Sequence, residues 1–149
     1  SWVYSEHGGN FVRTMLRLGG ERESLSVVDD QHGVPASAEM LADLTAIAIV
    51  AHRSGTMADG VYHMVPSGET TFHGVAVRTL ERAKANGYPL KADPARIAPI
   101  PTSQYPLPAK RPHNSRLDTG KLARALRIEL PDWTVHLDRT VDRLTRKAN

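Results

Sequence analysis

The 149-residue chain contains no cysteine. A disulfide framework, a thiolate zinc site and a cysteine nucleophile are therefore excluded. Long apolar runs are missing too, since the longest, residues 46–51, is far shorter than the about 20 residues that a membrane-spanning helix needs. From these features we expect a cytoplasmic protein with no membrane partner.

The standard motifs of cofactor binding and catalysis are also lacking. The sequence has no G-x-G-x-x-G and no P-loop, so no standard cradle for a dinucleotide or triphosphate is present. No tyrosine is followed four residues later by lysine, and the seven histidines form no H-x-H or H-x-x-x-H pair. We therefore predict no catalytic, cofactor-binding or metal-ligating residue in this chain, and surface or packing roles for the histidines.

The charged residues point to a small anionic ligand rather than to nucleic acid. The formal charge is +3, from 19 basic and 16 acidic residues, and the basic residues are mostly scattered. Lys110-Arg111 lies in a proline-bounded stretch, where an arginine can bind a diphosphate bidentately or remain a solvated surface charge. Asp29-Asp30 is interpreted first as a turn device and second as an acid/base pair.

Strand and helix patterns alternate along the chain and predict an α/β fold. Ser37, Thr119 and Asp132 are predicted N-caps of helices. A further helix starts near Phe11, and Gly19-Gly20 is expected to end or fray it. The predicted strands cover residues 1–4, 25–28, 60–65 and 97–100. The helix after Ser37 has an apolar series at helical spacing, Met40, Leu44, Ile47 and Ala51.

Several segments together resemble the dTDP-4-dehydrorhamnose reductases, which are extended short-chain dehydrogenases. Residues 30–35 match that family's D-Q-x-G-x-P loop, and residues 60–63 match its G-x-Y-H strand. The order and spacing of the other matching segments also agree: Ser1-Trp2-Val3-Tyr4, Gly9-Asn10-Phe11, Pro101 to Pro106, Arg111-Pro112, Ser115, Leu117-Asp118, Lys121-Leu122 and Pro131-Asp132-Trp133. The resemblance covers nearly the whole chain but only the C-terminal half of the family.

The resemblance implies the C-terminal part of an NAD(P)-binding, Rossmann-like fold that lacks the N-terminal cofactor-binding strands. Residues 1–149 would be the substrate-binding portion, with strands at about 1–4 and 60–65 as the last of the Rossmann sheet. The family reduces a dTDP-4-keto sugar with NADPH to dTDP-L-rhamnose for bacterial surface polysaccharide, including lipopolysaccharide O-antigen. NADPH would bind mostly outside this chain, which we expect to be inactive alone. The strands left without neighbours imply exposed apolar surface and self-association, as in a homodimer.

The resemblance also assigns residues to a dTDP-sugar site. Trp2 would form a wall where the sugar meets the nicotinamide, although it could equally be a core residue. Asn10 and Phe11 would contact the nucleotide sugar. Gln31 and the loop to Pro35 would line the nucleotide part of the pocket.

Arg111 would pair with the diphosphate, with Ser115 and Asp118 beside it. The sequence departs from the family at Ala36, where threonine is usual, and at Phe72, where tryptophan is common. The first departure removes a hydroxyl, and the second is interpreted as packing.

Two alternatives remain open. Relatives of this reductase act as non-catalytic regulatory subunits, so the chain could be an interaction module built on the same scaffold. It could also be the corresponding part of another nucleotide-sugar dehydrogenase or epimerase, against which the D-Q-x-G-x-P loop and the segment from Pro101 to Lys121 argue.

Overall fold

A computed structural model of the chain describes residues 1–106 and 108–146. Eleven helices and strands follow one another in mixed order within these residues. The helices are α1 (Phe11–Glu21), α2 (Ala38–Arg53), α3 (Phe72–Ala85), α4 (Gly120–Leu126) and α5 (Trp133–Thr145). The strands are β1 (Val3–Tyr4), β2 (Ser26–Val28), β3 (His32–Gly33), β4 (Ala36–Ser37), β5 (Thr70–Thr71) and β6 (Ala98–Ile100). Single 3-10 turns cover Pro94–Arg96 and Thr102–Gln104.

The strands pair only two by two. β1 runs parallel to β4, β2 runs parallel to β6, and β3 runs antiparallel to β5. The first pairing sets Val3 opposite Ala36 and Tyr4 opposite Ser37, which ties the start of the chain to the start of α2. The predicted α/β class is therefore confirmed.

The strand predicted over 60–65 is not formed, because residues 61–66 join no ladder. A strand needs a neighbour to accept and donate its backbone hydrogen bonds, and none of the described strands runs beside this segment. It is held instead by Lys121, whose Nζ donates to the Val61 carbonyl at 2.9 Å and lies 4.1 Å from the centre of the Tyr62 ring. That the segment belongs to a Rossmann sheet stays a prediction.

Most helix starts follow local capping chemistry. Ser37 accepts a hydrogen bond from the backbone N–H of Met40, and Asp132 accepts one from that of Thr134, as predicted. Thr119 stands at the N-cap position of α4 but makes no side-chain bond there. Asp118 accepts from the Gly120 N–H at 2.7 Å instead.

The main core lies where α1, α3 and α5 meet. Leu80 and Leu137 are fully buried in it, and Gly19 of α1 lies against Leu80. A Cβ at Gly19 would come within 2.8 Å of Leu80 Cδ2, so this glycine allows a close approach of two helices. Helix α1 ends at Glu21, one residue beyond the predicted Gly19-Gly20.

Helix α2 is covered on one side only. Met40 and Leu44 are buried, whereas Ile47, Ile49 and Val50 are 45%, 52% and 68% exposed. Self-association through exposed apolar surface stays a prediction.

Among the described residues, no helix has both the length and the apolar character to cross a bilayer.

Two ion pairs join α3 to α5. Arg78 binds Asp138 bidentately, and Arg82 binds Asp142 through two hydrogen bonds of 2.6 Å. The arginines are four residues apart on one helix and the aspartates four apart on the other, so the pairs fix the register of the two helices. Hydrogen bonds from Arg82 lower the pKa of Asp142 to about 2 despite its desolvation.

We expect acid to destabilise the chain through Asp142. The carboxylate has a pKa of about 2 when folded and about 3.9 when unfolded, so its contribution is complete only above about pH 5 and is lost progressively as the pH falls to 2. Urea unfolding from pH 6 to pH 2 should therefore show an acid loss about 2 kcal/mol smaller in Asp142→Asn than in the wild type. Glu21→Gln, which breaks the exposed Arg17–Glu21 pair, should leave the profile almost unchanged. Equal acid losses in the wild type and Asp142→Asn would contradict the assignment.

Candidate functional site

The loop Asp29–Gly33 connects three parts of the chain. It leaves β2, and its first N–H, that of Asp29, donates to the carbonyl of Ile100 at 2.9 Å. The Asp29 carboxylate accepts a hydrogen bond from the hydroxyl of Thr71 at 2.5 Å and lies 3.7 Å from Nδ1 of His73. The first aspartate of the pair is thus a loop device, which confirms its first interpretation.

The second aspartate caps the 3-10 turn that begins at Thr102. The Thr102 N–H donates to both Asp30 carboxylate oxygens at 2.9 and 3.0 Å, and its hydroxyl donates to the same carboxylate. These hydrogen bonds, with a smaller contribution from His113, lower the pKa of Asp30. Gln31, which is buried, donates from Nε2 to the Thr102 hydroxyl at 3.0 Å. The side-chain amide of Gln31 therefore joins this loop to the 3-10 turn at Thr102.

His32 and Gly33 form the middle of a small ribbon. On one side they pair with Thr70–Thr71. On the other side His32 forms a parallel bridge to Asn114, in which its N–H donates to the His113 carbonyl and its carbonyl accepts from the Ser115 N–H, both at 2.8 Å. Ser115 is thus placed beside the D-Q-x-G-x-P loop by its backbone.

Trp2 lies on this ribbon in a strained conformation. Its φ of +48° is in the left-handed region, which a large side chain rarely adopts. The indole stacks on Phe72 with 4.2 Å between ring centroids, and Phe11 meets Phe72 edge-on at 5.1 Å. A Cβ on Gly33 would lie 2.7 Å from Cζ2 of the indole, so the indole rests directly on the glycine backbone.

Other predicted site residues occupy structural positions close by. Asn10 caps α1: its Oδ1 accepts from the Arg13 N–H at 3.2 Å, and its Nδ2 donates to the Ser5 carbonyl at 2.7 Å. Phe11 belongs to the aromatic cluster on Trp2, and Pro35 is buried just before β4. The substrate roles of these residues stay predictions.

Arg111 keeps its charge available. It is exposed, and none of the ion pairs found within residues 1–106 and 108–146 involves it. The nearby Arg116 is different, since it pairs with Glu69 at 2.8 Å and lowers the pKa of that carboxyl. Asp118 is exposed and uses one oxygen to bind the Gly120 N–H.

Sequence reasoning missed the role of one residue that organises this region. Thr102 was matched only as part of the segment from Pro101 to Pro106, and its partners Asp30 and Gln31 lie about 70 positions earlier in the chain. The interpretation of Phe72 as packing is confirmed, since Phe72 packs against the main core and is the ring on which Trp2 stacks. The cap at Asp30 had one local signal, an aspartate in a polar loop.

The arrangement offers an aromatic surface and a guanidinium joined by one loop. Trp2 rests on Gly33, His32 pairs with Asn114, and Arg111 precedes Asn114 by three residues. Such a surface suits a ligand that carries both a ring and a diphosphate. Within the part of the chain that the structure describes, no group of three or more histidine and acidic side chains is placed to hold a metal ion.

Comparison with known proteins gives one consistent family. A family model described as RmlD substrate binding domain matches residues 1–146. The dTDP-4-dehydrorhamnose reductase of Escherichia coli K12 is 46% identical over 144 residues, which is 97% of this chain and 48% of that relative. The enzyme of the same name from Burkholderia thailandensis is 45% identical over 139 residues, covering 89% of this chain and 46% of the relative.

Solved structures agree with these sequence matches. The Bacillus anthracis dTDP-4-dehydrorhamnose reductase in complex with NADP superposes on 96% of this chain with a TM-score of 0.76 at 31% identity. A Clostridium acetobutylicum dTDP-4-dehydrorhamnose reductase superposes on 97% with a TM-score of 0.81 at 28% identity. In both cases 46% of the solved chain is covered. The chain therefore spans about half the length of the relatives that it matches.

Proposed function

The chain belongs to the family of RmlD substrate-binding domains, and from that premise we propose that it forms the dTDP-sugar-binding part of an NADPH-dependent dTDP-4-dehydrorhamnose reductase. The observation that carries the proposal is Trp2, a strained, half-buried indole resting on the glycine of the D-Q-x-G-x-P loop. A bulky side chain with positive φ costs about 1–3 kcal/mol, and such strain concentrates at functional sites. The relatives named above supply the reaction class.

In this proposal the residues of the chain bind and orient the sugar nucleotide. Arg111 pairs with the diphosphate, because a guanidinium binds two phosphate oxygens at once. Trp2 packs against the sugar ring and excludes water from the keto carbon. In the proposed reductase NADPH would supply the hydride to that carbon, and its site would lie mostly outside this chain, which has no glycine-rich turn for a pyrophosphate.

The test is binding of dTDP to the chain. We expect measurable affinity in calorimetry, weakened by added salt because the arginine is exposed. Arg111→Ala should weaken binding by about 10–100-fold, since a charge-assisted contact is worth about 1.5–3 kcal/mol. Arg53→Ala, an exposed arginine at the end of α2, is the matched control and should bind as the wild type does.

Two further ligands separate the proposal from its alternatives. NADPH should not bind the isolated chain with micromolar affinity, which would need about 8 kcal/mol from a site that the sequence lacks. UDP in place of dTDP distinguishes the reductase from another nucleotide-sugar enzyme, and tighter binding of UDP would favour that alternative. If the wild-type chain fails to bind dTDP, the proposed function is wrong.

A further inference from the structure

The proline-rich segment 102–113 is fastened at both ends to the same three residues, 30–32. At its start, the Thr102 N–H and hydroxyl both donate to the Asp30 carboxylate, and Gln31 donates to that hydroxyl. At its end, Nδ1 of His113 donates to the Asp30 carbonyl at 3.0 Å, and the His113 carbonyl accepts from His32 at 2.8 Å. Residues 30–32 therefore hold both ends of the segment, Thr102 and His113.

The end of the segment passes its position on to Arg111. Pro112 separates Arg111 from His113, and its ring restricts the backbone of both Pro112 and the residue before it. The backbone of Arg111 therefore has little freedom to turn independently of His113, and a displacement of His113 would shift the point from which the arginine side chain extends. The Asp30 carboxylate also lies 3.8 Å from Nδ1 of His113, so it faces this end of the segment as well as Thr102.

Asp30 itself is poorly suited to contact an anionic ligand. Its carboxylate is already occupied by the N–H and hydroxyl of Thr102. Its negative charge would repel a diphosphate at close range. Any effect of Asp30 on binding should therefore pass through the segment that it fastens.

We propose that Asp30 and Thr102 are positioning residues for the nucleotide sugar, which hold the Arg111-bearing segment where its guanidinium meets the diphosphate. The inference rests on the proposed function and adds to it two residues that need not touch the ligand. An asparagine at position 30 replaces the aspartate only in part: it keeps one neutral accepting oxygen, whereas the Thr102 N–H and hydroxyl now share two oxygens of a charged carboxylate.

The test is a double-mutant cycle on the full chain, with dTDP as the probe. Asp30→Asn and Thr102→Val should each weaken dTDP binding by about tenfold, as expected for loss of a charge-assisted anchor. Thr102→Ser keeps the hydroxyl and should bind nearly as the wild type does. In an Arg111→Ala background, Asp30→Asn should weaken binding no further, because it acts only through that side chain.

Hydrogen exchange gives a readout that needs no ligand. The Thr102 N–H donates to the Asp30 carboxylate and should exchange faster in Asp30→Asn. The Ser115 N–H donates to the His32 carbonyl, and its exchange rate shows whether the other end of the segment loosens as well. Met57, whose N–H donates to Ala51 at the end of α2, is the internal control. If Asp30→Asn fails to fold, the pair Thr102→Val and Thr102→Ser carries the same comparison.

The outcomes separate the two proposals. No dTDP binding by the wild-type chain overturns the proposed function and this inference with it. If the wild type binds and Arg111→Ala weakens binding, but Asp30→Asn and Thr102→Val bind normally, the inference alone is overturned. Additive losses of Asp30→Asn and Arg111→Ala would also overturn it, since Asp30 would then act independently of the arginine.

Discussion

In the proposed reductase, replacing Trp2 with alanine is expected to lower kcat/KM for the keto sugar by about 10–100-fold, because small misplacements of a reacting centre have effects of that size. The affinity for NADPH should stay nearly unchanged. The indole is held on Gly33 and Phe72, so it presents a fixed surface against which a sugar ring can pack. Without it, the keto carbon is less well aligned with the hydride donor and more open to water.

A purely structural role for Trp2 gives a different result. A large buried aromatic residue cut to alanine costs about 3–5 kcal/mol, but Trp2 is only half-buried, and its stability loss should be smaller. Melting temperature and steady-state kinetics are measured on one preparation of each variant. Trp133→Ala serves as the control, since Trp133 packs against the main core and against a second buried cluster that contains Met40 and Val65. This change should lower the melting temperature clearly and leave kcat/KM of the folded fraction nearly unchanged. A large drop in melting temperature with near-normal kcat/KM for Trp2→Ala would leave Trp2 as a core residue.

The second large effect is expected at Gly33. The Cβ of an alanine there would lie 2.7 Å from Cζ2 and 2.8 Å from Cε2 of Trp2, closer than real carbon contacts allow. The indole is stacked on Phe72 and cannot retreat without losing that contact. We expect Gly33→Ala to lower the free energy of unfolding by about 1–3 kcal/mol, as other overpacked positions do.

Urea unfolding of a double-mutant cycle tests the cause of that loss. In a Trp2→Ala background the clash is gone, so Gly33→Ala should cost less than about 0.5 kcal/mol. Gly9→Ala is the control, since a Cβ at Gly9 would meet no atom within 4 Å. Equal losses from Gly33→Ala in both backgrounds would show that the glycine is needed for another reason.

The predictions that succeeded depend on short-range chemistry. Ser37 and Asp132 bind backbone groups two or three residues ahead, so a capping residue followed by an apolar pattern is sufficient to locate those helix starts. Asp30 was interpreted as a turn device for a similar reason, although the turn that it caps lies at Thr102, far along the chain. The resemblance found from the D-Q-x-G-x-P loop and its companion segments was confirmed by the family match over residues 1–146.

The features that the sequence predicted wrongly, or did not predict, depend on contacts with residues far away in the chain. Residues 60–65 have the composition of a strand, but a strand also requires a neighbour to pair with, and Lys121 binds this segment instead. The close contact of Gly19 with Leu80 was likewise not anticipated, because it depends on how α3 packs against α1.

The sequence by itself determined the family, the α/β alternation and the capped ends of helices, since each depends on residues close together in the chain. Only the tertiary structure brought Trp2 onto Gly33 and Phe72, and Thr102 onto Asp30 and Gln31. The partners in these contacts are about 30 to 72 positions apart, and a local pattern holds no information on which distant residue will fill a space or accept a hydrogen bond. That choice is made by packing, because an indole needs a glycine surface beneath it and a carboxylate must find donors once it leaves water.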